Sequence, residues 1–235
     1  MIRLFINHPL SCNAKCSLDD KASHYLVHVM RCKIGDAVLC FNGQDGEWQA
    51  ELEISGKKQT SLVVKKQTRP QQNQPFCALC PALIKKDNID LVLQKATELG
   101  VTDIYPLITD HTVHPHFNLA HANLIVQEAA EQCERLTLPT IHSPVKLNEI
   151  SKILPDDCLY CYLSERKNTT MSLPLDGKIA FFVGPEGGWS KKELLFFNKH
   201  QFLPIHFDVG ILRAETASIA ILSCWQIGRK LYMKK

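Results

Sequence analysis

The octapeptide TRPQQNQP, Thr68 to Pro75, separates two patterns that cannot belong to one repeating architecture. It is polar, interrupted twice by proline, and carries no apolar period, so it reads as a linker rather than an element. Before it, short β-prone runs dominate. AVLCFNG (Ala37–Gly43) and EWQAELEIS (Glu47–Ser55) flank the turn-rich NGQDG, a hairpin signal, and TSLVVKKQT adds a third run from Thr60. The intervening Asp19–Asp36 places Ala22, Leu26, Val29 and Met30 at helical spacing and closes on Gly35, which predicts a helix ending there. After the linker, strand-like and helix-like segments alternate. The expectation is an α/β protein: a small β domain over residues 1–72, then an α/β domain with a mostly parallel sheet over residues 73–235.

In the second part FCALCPALI, VTDIYPLI, CLYCYL, KIAFFV and LPIHF read as strands. Asp87–Gly100 reads as a helix with Ile89, Val92, Leu93, Ala96 and Leu99 on one face and Gly100 past its end. Asn118–Leu136 reads as a long amphipathic helix. Ser190 and Glu193 form a capping box that opens Lys191–His200, and a final helix runs from Glu215. The pairs Cys77/Cys80 and Cys158/Cys161 have metal-ligand spacing. Both lie in apolar strand-like runs, where residues three apart point to opposite faces, so they read as buried thiols. His111, His114 and His116 in HTVHPH read as a solvated loop, given the proline and uneven spacing, and no metal is expected.

The net charge of +3 is unevenly placed: residues 1–72 hold 10 Lys/Arg against 7 Asp/Glu (+3), and residues 73–235 hold 17 of each. The excess predicts an anionic partner for the first part. No apolar run is long enough to span a bilayer, and the first residues lack the apolar stretch of a signal peptide, so a cytoplasmic location is expected.

In a doubly wound domain the ligand site lies at the carboxyl ends of the strands. Three such ends carry unusual loops: Leu163, Ser164 and Glu165; Val183 followed by Gly-Pro-Glu-Gly-Gly; and Phe207, Asp208 and Val209 leading to Ile211, Leu212 and Ala217. The glycine loop is neither a Walker loop nor GxGxxG, since no Lys-Ser/Thr follows its glycines. Gly184, Gly187 and Gly188 would still let the backbone approach a flat ligand. Glu186 would bond a ligand hydroxyl or anchor a neighbouring loop; both remain open.

GPEGGWSKKE (Gly184–Glu193) with ILRAETA (Ile211–Ala217) resembles the signature of the SPOUT methyltransferases. QKATELGV (Gln94–Val101) and EAAEQCERLTLP (Glu128–Pro139) are similar to the RsmE family within it, and RLF near the start, HYLVHVMRCKIGD and CFNGQDGEW resemble that family's PUA-like barrel. The resemblance covers nearly the whole chain. It implies a bacterial 16S ribosomal RNA uridine-N3 methyltransferase, with S-adenosylmethionine held by a deep trefoil knot and an obligate homodimer that completes the active site.

On that resemblance, the three strand-end loops hold the cofactor, Arg213 and Glu215 serve catalysis, and Arg3, Arg31, Lys95, Gln132 and Arg135 meet RNA or the assembled small subunit. Loss of N3–H must precede methyl transfer, and a cation near a uracil carbonyl would stabilise the charge that develops. Arg213 suits that role and is a poor base; a salt bridge to Glu215 or to a dimer partner is its bland alternative. Gln132 and Arg135, at i, i+3, are expected to share a helix face. The family pattern L-G-x-R-I-L-R is altered: Asp208 replaces the Gly and Gly210 the first Arg, and Asn88 stands where a Lys is common. The rivals are a SPOUT ribose 2′-O-methyltransferase and an RNA-binding assembly factor that has lost catalysis.

Overall fold

The β-prone runs of the N-terminal part pair into one sheet in the computed structural model, which describes residues 1–55, 60–113, 115–164, 173 and 175–232. The strands are β1 (Arg3–Phe5), β2 (Lys15–Ser17), β3 (Ala37–Phe41), β4 (Glu47–Ser55) and β5 (Thr60–Arg69), in the order β1-β3-β4-β5-β2. Only β1 and β3 pair in parallel; the others are antiparallel, with three register shifts between β4 and β5. Such irregularities bend a strand and increase its twist. Leu4, Leu26, Val38, Ala50, Leu52, Leu62 and Val64 fill the core of this part.

The helix expected up to Gly35 is shorter and differently wound. α1 (Asp20–His24), capped by the Asp19 side chain on the Ala22 N–H, passes into a π-helical turn over Tyr25–Val29. Met30 N–H bonds the carbonyl five residues back, and Arg31 then takes a left-handed φ of 54° that ends the helix. The wider turn moves Val29 and Met30 off the face of Leu26, and both are exposed while Leu26 is buried. The expected linker also starts later, because Thr68 and Arg69 belong to β5.

From Cys77 onward strands and helices alternate: β6 (Cys77–Pro81), α2 (Lys86–Glu98), β7 (Asp103–Ile104), β8 (Leu107–Ile108), α3 (Leu119–Gln132), β9 (Thr140–Ile141), β10 (Val145–Lys146), β11 (Cys158–Leu163), β12 (Lys178–Val183), α4 (Lys191–Lys199), β13 (Leu203–Ile205) and α5 (Ala214–Tyr232). The main sheet runs β13-β11-β12-β6-β7-β9, and all its pairings are parallel. The run VTDIYPLI is split at Pro106, so that β7 joins this sheet and β8 a second small one with β10.

Both faces of the main sheet are covered, which is why its strands read as unbroken apolar runs. Ile179, Phe181 and Val183 of β12 pack with α2 and α5 residues such as Leu93, Ile221 and Trp225, while Ala180 and Phe182 pack with Phe197 and Phe202 on the other side. Phe181 and Phe182 are fully buried, each contributing about 1.5–3 kcal/mol. Cys77 and Cys161 lie on the α2/α5 face, Cys80 and Cys158 on the opposite one, so the sheet separates the members of each CxxC pair. Burial pushes Cys158 and Cys161 up to about 12.

Two compact units result: residues 1–73 with 130–138, and residues 74–129 with 139–235. The excursion of 130–138 into the first unit breaks the linear division of the sequence. Its cause is the end of α3. Glu134 adopts a left-handed φ of 58°, and Arg135 N–H turns back to the Ala130 carbonyl at 3.1 Å, closing a Schellman-type end. The Arg3 guanidinium then donates to the Ala130 carbonyl (2.8 Å) and the Arg135 carbonyl (2.6 Å), a cation where the helix dipole is negative. Its Nε donates to Glu47 (2.7 Å), and its plane lies 3.8 Å above the Phe41 ring. Phe5 N–H meets the Glu131 carboxylate at 3.0 Å.

Glu47 is the centre of this cluster, with side-chain exposure of only 5%. It accepts from Arg3, from Arg69 Nε and Nη2, and from Thr68 Oγ1. Burial alone would push its carboxyl up, but the bonds from Arg69, Arg3 and Thr68 outweigh it and hold the pKa at about 2, against an ordinary 4.5. Glu47→Ala leaves the Arg3 charge buried without its partner and should destabilise the protein by about 3–5 kcal/mol, read from denaturant melts. Because the folded pKa is depressed, this stabilisation is complete above pH 4.5 and declines as pH falls toward 2. Glu47→Gln should flatten that acid limb; an unchanged limb would show that Glu47 does not set it.

Candidate active site

β12, β11 and β13 lie side by side and parallel, so their carboxyl ends open onto the same edge of the sheet. The chain after each end contributes a wall to one cleft of about 600 Å³: Tyr162–Ser164, Val183–Trp189 and Pro204–Phe207. Val209–Ala214 and Ala217, at the start of α5, close the fourth side. The volume falls in the range of small-molecule sites, about 300–1,000 Å³.

The glycine loop is built by short-range bonds. Gly188 N–H closes a turn on the Pro185 carbonyl at 2.9 Å, and Gly188 has a φ of 67°. A Cβ on Gly184 would stand 3.1 Å from the Trp189 indole, whose Nε1 donates to the Leu163 carbonyl at 2.9 Å. Trp189 thus ties the loop after β12 to the end of β11, and any side chain at 184 would push the indole back by a few tenths of an ångström. The Ser190/Glu193 capping box is present, and Glu193 also reaches beyond it, where its Oε1 accepts Asp110 N–H at 2.9 Å.

The other two loops are tied together as well. Ser164 N–H bonds the Ile205 carbonyl at 2.8 Å, and His206 Nδ1 bonds the Ser164 carbonyl at 2.9 Å. A carbonyl only accepts, so His206 Nδ1 carries a proton. Its Nε2 is buried and has no hydrogen-bond partner among the described residues; Glu215 Oε2 is in the same condition. Orphaned buried polar atoms are uncommon in folded proteins and point to a missing partner.

The structure brings Leu163, Ser164, Val183, Gly184, Glu186 and Gly187 together with Phe207, Val209, Ile211, Leu212, Arg213 and Ala217 around this cleft. Arg213 and Ile211 are exposed there, and no ion pair joins Arg213 to Glu215 among the described residues. Asp208 is exposed and does not line the cleft; Glu215 is buried and does not line it either. Glu165 lies outside the described residues, as does His114. A Cβ on Gly210 would meet nothing within 4 Å, so this position borders open space. Asn88 sits in the first turn of α2.

Two of the residues assigned to RNA need correction. Arg3 is 7% exposed and spends its donors on Glu47, Ala130 and Arg135, so it is a structural cation and not a phosphate contact. Arg135 is equally buried, with Nε on Thr137 Oγ1. It also lies beyond α3, because the left-handed Glu134 intervenes, so Gln132 and Arg135 share no helix face. Gln132 and Arg31 are exposed, and Lys95 is half-buried in an ion pair with Glu98 at 2.8 Å. Sequence reasoning missed Tyr162, Trp189, Leu194, Asn198, Ile205 and His206 of the cleft lining. Trp189 adjoins the glycine loop and could have been found by adjacency. Leu194 and Asn198 are brought in from α4 by tertiary packing, for which the sequence has no local sign.

Similarity to known proteins runs along the same two parts. Residues 71–226 match the family model of an RNA methyltransferase domain, and residues 18–65 that of an RNA methyltransferase PUA domain. The chain is 34% identical over 227 residues to ribosomal RNA small subunit methyltransferase E of Rickettsia conorii, covering 94% of this chain and 93% of the relative. It is 32% identical to the Synechocystis protein of the same name, over 89% of this chain and 72% of the relative. Among solved structures, the putative methyltransferase Lpg2936 from Legionella pneumophila, in complex with the cofactor SAM, superposes with a TM-score of 0.89 at 28% identity over 97% of both chains. The ribosomal RNA small subunit methyltransferase E from Neisseria gonorrhoeae, bound to S-adenosyl methionine, gives 0.89 at 26% identity over 97% of both chains. A glycine-loop cleft at the strand ends of an RNA methyltransferase domain, in a chain matched along nearly its whole length by these relatives, leads to one conclusion: the protein belongs to the ribosomal RNA small subunit methyltransferase E family.

Proposed function

We propose that the protein transfers a methyl group from S-adenosylmethionine to N3 of a uridine in small-subunit ribosomal RNA, acting as a homodimer with a knotted C-terminal domain. The observation that carries this reading is the cleft itself. It joins an apolar wall (Leu163, Ile205, Phe207, Leu212) to a glycine-rich one. Among the described residues Arg213 is its only Lys or Arg. The names of the relatives and the cofactor in two structural neighbours support the substrate class and the methyl donor.

The residues fit such a cofactor. A Cβ on Gly184 would press on the Trp189 indole, which itself lines the cleft, and the buried Nε2 of His206 offers an acceptor at the wall. When bound, S-adenosylmethionine supplies an electrophilic methyl group. The loops after β11, β12 and β13 would orient it, and the apolar wall would exclude water. Arg213 would lie against the uracil carbonyls and stabilise the negative charge that grows as N3–H is lost. A guanidinium stays protonated throughout, so it acts by electrostatics and not as the base.

The placement of Asp208 and Gly210 is compatible with this reading. Asp208 is outside the lining, and Gly210 removes a cation without removing Arg213.

Arg213→Ala should lower kcat by about 10²–10³ with an unchanged melting temperature, since no ion pair of Arg213 is formed among the described residues, and Arg213→Lys should be partly active. Near-native kcat in Arg213→Ala would end its catalytic assignment. Gly187→Val should abolish cofactor binding in calorimetry, because a Cβ there already stands 3.2 Å from His111. Nucleoside mass spectrometry of small subunits from a deletion strain, incubated with enzyme and S-adenosylmethionine, should yield N3-methyluridine. A 2′-O-methyl product would favour the ribose reading, and no product with no cofactor binding the assembly-factor reading.

A further inference from the structure

Against the glycine loop stands the turn Thr109–Thr112. It follows β8 and is internally fixed: Thr109 N–H bonds Thr112 Oγ1 at 2.9 Å, Thr112 N–H bonds the Thr109 carbonyl at 3.1 Å, and the two hydroxyls meet at 2.9 Å. This turn reaches the loop at three points. Asp110 N–H bonds Glu193 Oε1 at 2.9 Å, Ser190 Oγ donates to Asp110 Oδ2 at 2.6 Å, and His111 Nδ1 donates to the Gly188 carbonyl at 3.0 Å. The imidazole also sets the loop's depth, because a Cβ on Gly187 would stand 3.2 Å from His111 Cβ and 3.4 Å from its ring. Neither Asp110 nor His111 lines the cleft.

We propose that His111 is a positioning residue for the methyltransferase site: it holds the Gly187–Gly188 backbone at the height from which the loop meets the cofactor. The role rests on the reading of the cleft as the cofactor site. Three physical points carry it. The contact is to main chain, so it fixes the loop whatever its side chains do. The bond needs a donor at Nδ1, which imidazole supplies in either the Nδ1–H neutral form or the cation. The partner turn is rigid by its own hydrogen bonds, so it transmits position instead of yielding. The sequence HTVHPH, which resembles a metal cluster at first sight, thus has its first histidine engaged in a different role.

The test uses the full-length protein. Calorimetry with S-adenosylmethionine, melting temperature, and KM and kcat on small ribosomal subunits are measured for wild type, His111→Ala, His111→Leu and His111→Asn. Asparagine places an N–H donor where Nδ1 stands; leucine keeps bulk without a donor. The expected result is a cofactor affinity weakened by about 3–12-fold in the Ala and Leu variants, the worth of one hydrogen bond. Their cofactor KM should rise in step while kcat at saturating cofactor holds, and affinity should recover to within about twofold of wild type in His111→Asn. Wild-type affinity in His111→Leu overturns the proposal, as does an asparagine variant as weak as alanine. A lowered melting temperature with unchanged affinity and KM makes the residue merely structural and also overturns it. Wild type that fails to bind S-adenosylmethionine overturns the cofactor reading itself, a result distinguishable from all of these.

Discussion

Parallel pairing of β12 with β6 on one side and β11 on the other is the constraint on which the chemistry depends. A strand buried on both faces has no room for polar side chains along its length, so polar function is displaced to its end. With β13 on the far side of β11, three ends fall next to one another, and their loops have to share one space. The glycine loop does not fold alone. Trp189 fastens it to β11, Glu193 and Ser190 fasten it to Asp110, and His111 supports its backbone. A flexible sequence becomes a fixed surface because Trp189 and His111 stand where a Cβ on Gly184 or Gly187 would need room.

The architecture was legible wherever the physics is local. The unbroken apolar run of KIAFFV encodes burial on both faces, and Phe181 and Phe182 do point to opposite ones. The Ser190/Glu193 box and Gly100, with a φ of 84° after α2, mark helix ends through short-range bonds that a sequence displays directly. The errors arose where a distant partner or a rare backbone state decided. Nothing in DDKASHYLVHVMRCKIGD announces a π turn or a left-handed Arg31. Likewise Glu134, a residue type that rarely takes a positive φ, ends α3 before Arg135 can join Gln132.

The cationic residues show the same division. Arg3 looked like a surface contact because a sequence reveals charge but not burial, and its partners Glu47, Ala130 and Arg135 lie 44, 127 and 132 residues away. Arg213, by contrast, is read from a motif whose neighbours line the cleft with it, so proximity in sequence carries over into space. The cleft residues that escaped notice, such as Asn198 and Leu194, come from the helix after the glycine loop and approach only when α4 packs on the sheet. His111 escaped because its effect passes through another residue's carbonyl.

The end of α3 has a consequence for the order in which the chain can mature during synthesis. Glu47 can meet Arg3 and Arg69 once the first 73 residues have emerged, but the two carbonyls to which Arg3 donates, those of Ala130 and Arg135, are made some sixty residues later. At roughly 5–20 residues per second, that leaves the arginine waiting for several seconds with part of its hydrogen-bonding capacity unmet. Until then those donors face water, and the N-terminal sheet is a nascent fold with an open socket. Residues 130–138, arriving within the second half of the chain, fill it. The first unit to begin is therefore not complete until its last nine residues emerge, well after its sheet.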